Sequence, residues 1–312
     1  MKRTYLIAGG TGFIGRHLTA YLRSRGDRVR VLTRGPDNGP DEIHWNGESL
    51  GAWTEALEGA DALINLCGKS VNCRYTPANR AAIFASRLDP TRILAIALAN
   101  TVRPPALWLN ASSATIYRHA EDRDMDETTG EIGRGFSVQV CQQWEQVFFA
   151  PELPGIRRVA LRSAMTFGPG KGGVFAAFQG LVNAGLGGTM GSGRQFVSWI
   201  HLEDFCRAVD WITDHPELDG AINLAAPDPL PNRNFLAILR RGNRQRIGLP
   251  AAPWMLATGA WLLRTETELL LKSRRVIPKR LMESGFQFKY PTWPEAVAQL
   301  VGPKRGSMQR AL

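Results

Sequence analysis

Tyr5-Leu6-Ile7-Ala8-Gly9-Gly10-Thr11-Gly12-Phe13-Ile14-Gly15, followed by His17-Leu18-Thr19-Ala20-Tyr21-Leu22, decides the fold. A short apolar run, a glycine cluster and a second apolar stretch read as strand, tight turn and helix. That arrangement aims a helix N-terminus and several backbone N–H groups at one point, where a pyrophosphate can sit. Gly10, Gly12 and Gly15 satisfy G-x-G-x-x-G, and Gly9, Gly12 and Gly15 satisfy G-x-x-G-x-x-G. A second strand, Val29-Arg30-Val31-Leu32-Thr33, supplies the context the motif requires. Gly12 is expected to leave no room for a side chain where the backbone approaches the pyrophosphate. The competing reading is a glycine corner with no ligand.

The end of the second strand bears on the choice of dinucleotide. An NAD enzyme usually carries Asp or Glu there to accept from the ribose 2′-OH. This chain has Thr33-Arg34. A carboxylate would repel a 2′-phosphate, whereas Arg can pair with it through two N–H groups. NADP is therefore the expected cofactor, against the alternative that Arg34 is a solvated loop residue.

Outward from this unit, strand-like and helical runs alternate, which predicts an α/β fold of the Rossmann type with a doubly wound parallel sheet. Further strands are expected near Glu42 to Trp45, at Ala62 to Leu66, Ala106 to Asn110, Ile156 to Leu161, Ser198 to His201 and Ala221 to Ala225. Pro77 to Thr101 has helical spacing, with a break or kink expected at Pro90, because proline lacks an N–H and crowds the preceding turn. Phe136 to Phe149 reads as a helix. Beyond Ala226 the rhythm is lost, and a smaller, mostly helical C-terminal substrate lobe is expected, with an extended piece at Phe286 to Tyr290. The expected division is a dinucleotide-binding domain of 1–170 and 195–225, a substrate lobe of 171–194 and 226–302, and a basic tail of 303–312.

Composition narrows the class. The 312 residues are 44% hydrophobic, enough for one large or two smaller cores. No uninterrupted apolar window is long enough for a transmembrane helix, and the first strand begins almost at Met1, leaving no room for a secretory signal. Cys67, Cys73, Cys141 and Cys206 form no C-x-x-C pair and stand at no zinc spacing, so no metal site is expected and a reducing cytoplasm is the default. From Ala226 onward 15 Lys/Arg face 5 Asp/Glu, so this stretch carries the whole formal net charge of +10. A positive field over one end would attract a phosphorylated or acidic ligand. A weaker alternative is an acidic protein or membrane surface. No motif supports nucleic acid.

At this point the chain resembles the extended short-chain dehydrogenase/reductase superfamily, nearly end to end. The matching segments are Gly9 to Gly15, Asn65-Leu66-Cys67-Gly68, Ser112 to Tyr117, Arg162 to Gly170, and Gly191-Ser192-Gly193-Arg194-Gln195 with Trp199-Ile200-His201 and Asp204. More narrowly it is similar to an atypical "epimerase family" subgroup with a C-terminal domain of unknown function. Ser70 to Thr76, Trp144-Glu145, Val276 to Leu281 and Gly285-Phe286-Gln287-Phe288 look like its marks. The resemblance implies cofactor contacts at Gly9, Thr11, Gly12, Phe13, Ile14 and Gly15, at Thr33 and Arg34, at Leu66, Cys67, Gly68 and Lys69, and at Ser112.

Ordinary members use a Ser or Thr, a Tyr, and a Lys four residues after the Tyr. Ser113 matches the first. Registering on Trp144-Glu145 puts Ser137 and Cys141 at the Tyr and Lys positions, where neither can do the usual work. Tyr117, expected to face the substrate, is the candidate replacement acid, with a core tyrosine as the alternative. Cys141 reads as a small core hydrophobe rather than a nucleophile. His201 and Asp204 read as structural. Gly168 to Gly173 reads as a mobile gate, or alternatively as a second phosphate loop. The function implied is an NADP(H)-dependent oxidoreductase or epimerase-like enzyme on a small polar, anionic or phosphorylated substrate. The alternative is a catalytically silent NADP(H)-binding regulator or scaffold.

Overall fold

Apolar residues of the first strand point alternately to two faces, and both faces are buried. Tyr5 and Ile7 join one core, while Leu6 and Ala8 join another. A strand buried on both sides belongs in the middle of a parallel sheet flanked by two helical layers. The computed structural model describes residues 2–35, 39–170, 172–250 and 272–302 and has that architecture.

The first half of the chain contains β1 (Thr4–Ala8), α1 (Phe13–Ser24), β2 (Arg28–Thr33), β3 (Glu42–His44), β4 (Ala62–Asn65), α2 (Pro77–Ala99), β5 (Leu107–Ser113), α3 (Phe136–Phe149) and β6 (Arg157–Ser163). After these come β7 (Met165–Phe167), α4 (Val174–Asn183), β8 (Phe196–Val197), β9 (Trp199–His201), α5 (Leu202–Asp214), β10 (Gly220–Leu224), β11 (Leu230–Pro231), α6 (Asn232–Gly242), α7 (Lys279–Glu283) and α8 (Trp293–Val301). The main sheet has seven strands in the order β10-β6-β5-β4-β1-β2-β3, all parallel. Strand order reverses between β1 and β4, and a crevice at the carboxyl ends of such strands is where ligands bind in open α/β sheets.

Register aligns the ends of β1 and β4 with Asn110 inside β5, and β5 and β6 run three residues further. Ala8 pairs with Asn65, Asn65 with Asn110, and Ser113 with Ser163. Leu18 and Leu22 of α1 and Phe205, Val209 and Ile212 of α5 cover one face of the sheet. Leu94 and Leu98 of α2 and Phe148 of α3 cover the other. A separate aromatic core joins α4, α6 and α8, where Phe167, Phe178, Trp199, Phe235 and Trp293 meet.

The structure bears on two local expectations. α2 runs unbroken through Pro90. Ile83, Leu88, Ile93 and Leu94 are buried on both sides of the proline, so packing outweighs the lost hydrogen bond. The expected extended piece at Phe286 to Tyr290 pairs with no strand among the described residues, and the N–H groups of Lys289 and Tyr290 donate to the buried Asp204 carboxylate at 2.7 and 2.8 Å. The basic tail of 303–312 lies outside the described residues, as do 251–271 of the expected substrate lobe.

Trp293 lies at the centre of the aromatic core. It is fully buried, stacks on Phe235 with ring centroids 4.2 Å apart, and donates its indole N–H to the Phe235 carbonyl at 3.0 Å. Trp293→Ala should cost about 3–5 kcal/mol by urea unfolding. A loss below about 1 kcal/mol would mean that this core contributes little to the cooperative fold.

Candidate functional site

Three glycines let the turn fold against its neighbours. Gly9 has φ +77°, and a Cβ there would lie 2.9 Å from the Leu66 carbonyl carbon. On Gly10 it would lie 2.7 Å from Val31 Cγ1, and on Gly15 2.5 Å from the Gly9 carbonyl oxygen. Gly12 differs. A Cβ there would meet only the Gly9 oxygen, at 3.3 Å. Within the chain the crowding therefore falls on Gly9, Gly10 and Gly15, and one side of Gly12 stays open.

Gly12 is also the N-cap of α1, with extended backbone and no side-chain cap, and no acidic residue stands in the first turn. The first-turn N–H groups are left for an anion, and the helix dipole favours one. Thr11 is exposed beside them. Phe13 closes one flank, because Gly173 packs on its ring so closely that a Cβ would come within 2.5 Å. The other end of that glycine loop is equally tight, with Gly168 against Leu202.

Thr33 ends β2, buried, and its hydroxyl accepts the Gly35 N–H at 3.1 Å. Arg34 follows, exposed and in no ion pair among the described residues. Its charge reaches Cys67 on the far side of β1, where it opposes the burial that pushes the thiol up to about 12. The turn after β4 is held at each step. Leu66 N–H donates to Ala8 at 2.9 Å, Cys67 N–H to the Asn65 side chain at 3.1 Å, and Lys69 N–H to Ser86 at 2.9 Å. The Lys69 side chain is exposed. Open helix terminus, hydrogen-bonded turn after β4 and exposed Arg34 together fit a dinucleotide carrying extra negative charge.

Behind the crevice lies a buried polar network that no sequence motif announced. Asn65 donates to Asn110 at 2.7 Å and to Thr91 at 3.2 Å, and the Trp144 indole donates to Thr91 at 3.0 Å. Ser112 donates to Glu145 at 2.6 Å. Glu145 receives two N–H groups from Arg162, at 2.7 and 2.8 Å, and each of these side chains is only 12% exposed. Arg162 also donates to the Tyr117 hydroxyl at 2.9 Å, and that hydroxyl donates to Asn223 at 3.0 Å. The signal that could have found it is modest: Asn65 and Asn110 are polar residues in otherwise apolar strands.

This network changes the reading of Tyr117. Rather than facing a substrate, the ring is fully buried, and both functions of the hydroxyl are engaged inside the protein. Burial raises its pKa, and Arg162 opposes that rise. Ser113 is the better exposed hydroxyl at the end of β5. It donates to Thr115 Oγ1 at 3.0 Å and accepts the Thr115 N–H at 3.2 Å.

On α3, whose sequence contains neither Tyr nor Lys, Ser137 and Cys141 are both buried. Burial, and then the Glu145 charge, push the Cys141 thiol up to about 12, against Arg87, Arg274 and Arg162. A thiol held protonated in this way is no nucleophile near neutrality.

His201 caps α5 and pairs with Gln299 at 2.9 Å, and fully buried Asp204 pairs with Arg207 at 2.9 Å. His119 is exposed and accepts the Ser273 N–H at 3.1 Å. Among the described residues no His, Cys, Asp or Glu cluster could hold a metal ion, and no helix is long and apolar enough to cross a membrane.

The Glu145–Arg162 pair ties α3 to β6. Glu145→Gln should leave the guanidinium uncompensated and cost about 3–5 kcal/mol in urea unfolding. Adding Arg162→Met should recover part of the loss. Strict additivity of the two changes would show that the pair is not energetically coupled.

A model of the NAD dependent epimerase/dehydratase family matches residues 5–225, and DUF1731, a domain of unknown function, matches residues 251–300. An epimerase family protein of Mycobacterium bovis is 37% identical over 295 residues, covering 93% of this chain and 95% of that protein. Human epimerase family protein SDR39U1 is 32% identical over 303 residues, covering 95% of this chain and 99% of that protein. The crystal structure of that human protein (isoform 2) with NADPH superposes with a TM-score of 0.85 at 28% identity, covering 96% of this chain and 99% of that one. The overall fold is thus shared along nearly the whole length, and the chain belongs to the NAD dependent epimerase/dehydratase family.

Proposed function

We propose that the chain is an NADP(H)-dependent oxidoreductase or epimerase-like enzyme acting on a small, polar, anionic substrate. The observation that carries this reading is the uncapped N-terminus of α1 opening at Gly12 with Arg34 exposed nearby. The NADPH in the human SDR39U1 structure supports the same choice of dinucleotide.

In this reading the Phe13, Ile14 and Gly15 N–H groups hold the pyrophosphate, and Arg34 pairs with the 2′-phosphate. Thr11 and the Leu66 to Lys69 turn border the nucleotide. Ser112 sets the end of β5 through Glu145. The bound dinucleotide supplies hydride transfer. Ser113, coupled to Thr115, hydrogen-bonds the substrate carbonyl or hydroxyl. Tyr117 acts as a positioning residue, holding Arg162 and through it Glu145 and Ser112. The four free cysteines suit a reducing cytoplasm. Burial of Tyr117 and Cys141 favours a second reading, a catalytically silent NADP(H)-binding regulator.

Arg34→Ala should weaken NADPH binding by 1.5–3 kcal/mol, roughly ten- to a hundredfold, and leave NADH binding nearly unchanged. Equal wild-type affinities for the two nucleotides, measured by fluorescence titration, would sink the NADP(H) assignment. Gly12→Val should abolish dinucleotide binding while the circular dichroism and melting temperature stay near wild type, since the chain itself leaves that side open. Retained binding would make the turn structural only.

Turnover separates the two readings. Screened against small carboxylated and phosphorylated carbonyl compounds with NADPH, Ser113→Ala should lower turnover by about a hundredfold. Tyr117→Phe should lower it less and lower stability as well. Tight NADPH binding that alters a protein partner's affinity, with no carbonyl compound turned over, would select the regulator.

A further inference from the structure

Three guanidiniums reach the thiol of Cys141 electrostatically, and they are not equivalent. Arg162 is engaged by Glu145 and Tyr117. Arg87, on α2, has a different environment. Its Nη1 donates to the Ile83 carbonyl at 3.0 Å and its Nη2 to the Lys69 carbonyl at 3.1 Å. It forms no ion pair among the described residues, and the ionisable groups that act on it are Cys141, Tyr75 and Cys73, none of them a carboxyl. Its Cζ lies 5.2 Å from the centre of the Trp144 ring, and 3.3 Å from where a Cβ on Gly68 would stand.

A guanidinium carries five N–H donors in a rigid fork. Three neutral oxygens, these two carbonyls and, at 3.5 Å from Nη1, the Ser86 hydroxyl, hold this one in place without neutralising it. Removing a charge from water without an opposite charge is costly, and here burial does pull the Arg87 pKa down. The position explains what such a cost could serve. Gly68 belongs to the turn after β4, which touches the glycine turn through Leu66 and Gly9. Cys141 and Trp144 belong to α3. Arg87 therefore stands between the nucleotide side of the crevice and the helix that lacks a Tyr-Lys pair.

Arg80 lies two turns earlier on the same stripe of α2. It is exposed, its Cζ is 4.7 Å from the centre of the Phe136 ring, and its Nε donates to the Tyr75 carbonyl at 2.9 Å.

We propose that Arg87, with Arg80 nearer the solvent, forms a subsite for an oxyanion group of the substrate, a carboxylate or a phosphate. The planar fork suits two-point pairing with either. The proposal rests on the crevice being the substrate site and names the chemistry recognised there.

The test is calorimetric titration of the NADPH-loaded protein with inorganic phosphate and, separately, with malonate, at constant ionic strength. Wild type should bind at least one of them saturably with one site per chain, and the preferred anion tells phosphate from carboxylate. Arg87→Gln should weaken that binding about tenfold or more, and Arg87→Lys by less, while NADPH affinity stays within about twofold. Absence of saturable binding in wild type, or equal binding by Arg87→Gln, would overturn the proposal and leave Arg87 as a clamp on the Lys69 turn. Loss of NADPH affinity in step with anion affinity would overturn it too, placing Arg87 at the cofactor. Should Arg87→Gln fail to fold, Arg87→Lys and Arg80→Gln decide, and wild-type affinity in both overturns it. Should wild type not bind NADPH, the functional reading fails by itself, and the same titrations on the nucleotide-free protein decide the subsite.

Discussion

The buried ion pair between Glu145 and Arg162 joins parts of the chain that share no local sequence. Through it α3 is fixed to β6, through Ser112 to β5, and through Tyr117 and Asn223 to β10. Each charge is expensive to bury, and the pair is tolerated because almost every donor and acceptor around it is used. Asn223 extends the chain of bonds to Ile277, in the C-terminal stretch that closes over the sheet. The position of the strand-end hydroxyls therefore depends on interactions made behind them, away from the crevice.

That construction also explains why the best candidate acid in the sequence sits in the core. A tyrosine one short helical turn beyond a strand can face outward to solvent or inward to a polar partner. Arg162 and Asn223 satisfy both functions of its hydroxyl inside, and the ring gains full burial. The crevice is left with the Ser113–Thr115 pair, the open terminus of α1, and cations. Arg87 is held by backbone carbonyls on one side of α3, while Arg34 stands at the end of β2. Neither Cys141 nor Tyr117 supplies a base there, because burial raises the pKa of both.

The C-terminal excess of positive charge is used in more than one way. Arg280 donates to the Asp219 and Ala221 carbonyls beside β10, and Arg275 pairs with Asp124 at 2.7 Å, so part of it is structural. Arg240, Arg241, Arg244 and Arg246 gather around a surface recess at the end of α6. This second group lines one recess together, as a one-sided positive field requires.

Much of the dinucleotide half was readable in the chain itself. The glycine spacing after Ala8, the continuous apolar run of β1 and the recurrence of strand and helix are local patterns, and local patterns reflect backbone geometry directly. The absence of Tyr and Lys from α3 was equally plain, being a matter of residue identity. What only the tertiary structure decided depends on contacts between residues far apart in sequence. Pro90 stays within α2 because both flanking turns are packed. Lys289 and Tyr290 are held by Asp204, which accepts both of their N–H groups from 85 and 86 residues away. Glu145 meets Arg162 across 17 residues, and Tyr117 meets Asn223 across 106. No periodicity records such pairings, because a buried polar group is stabilised by whichever partner the fold brings to it.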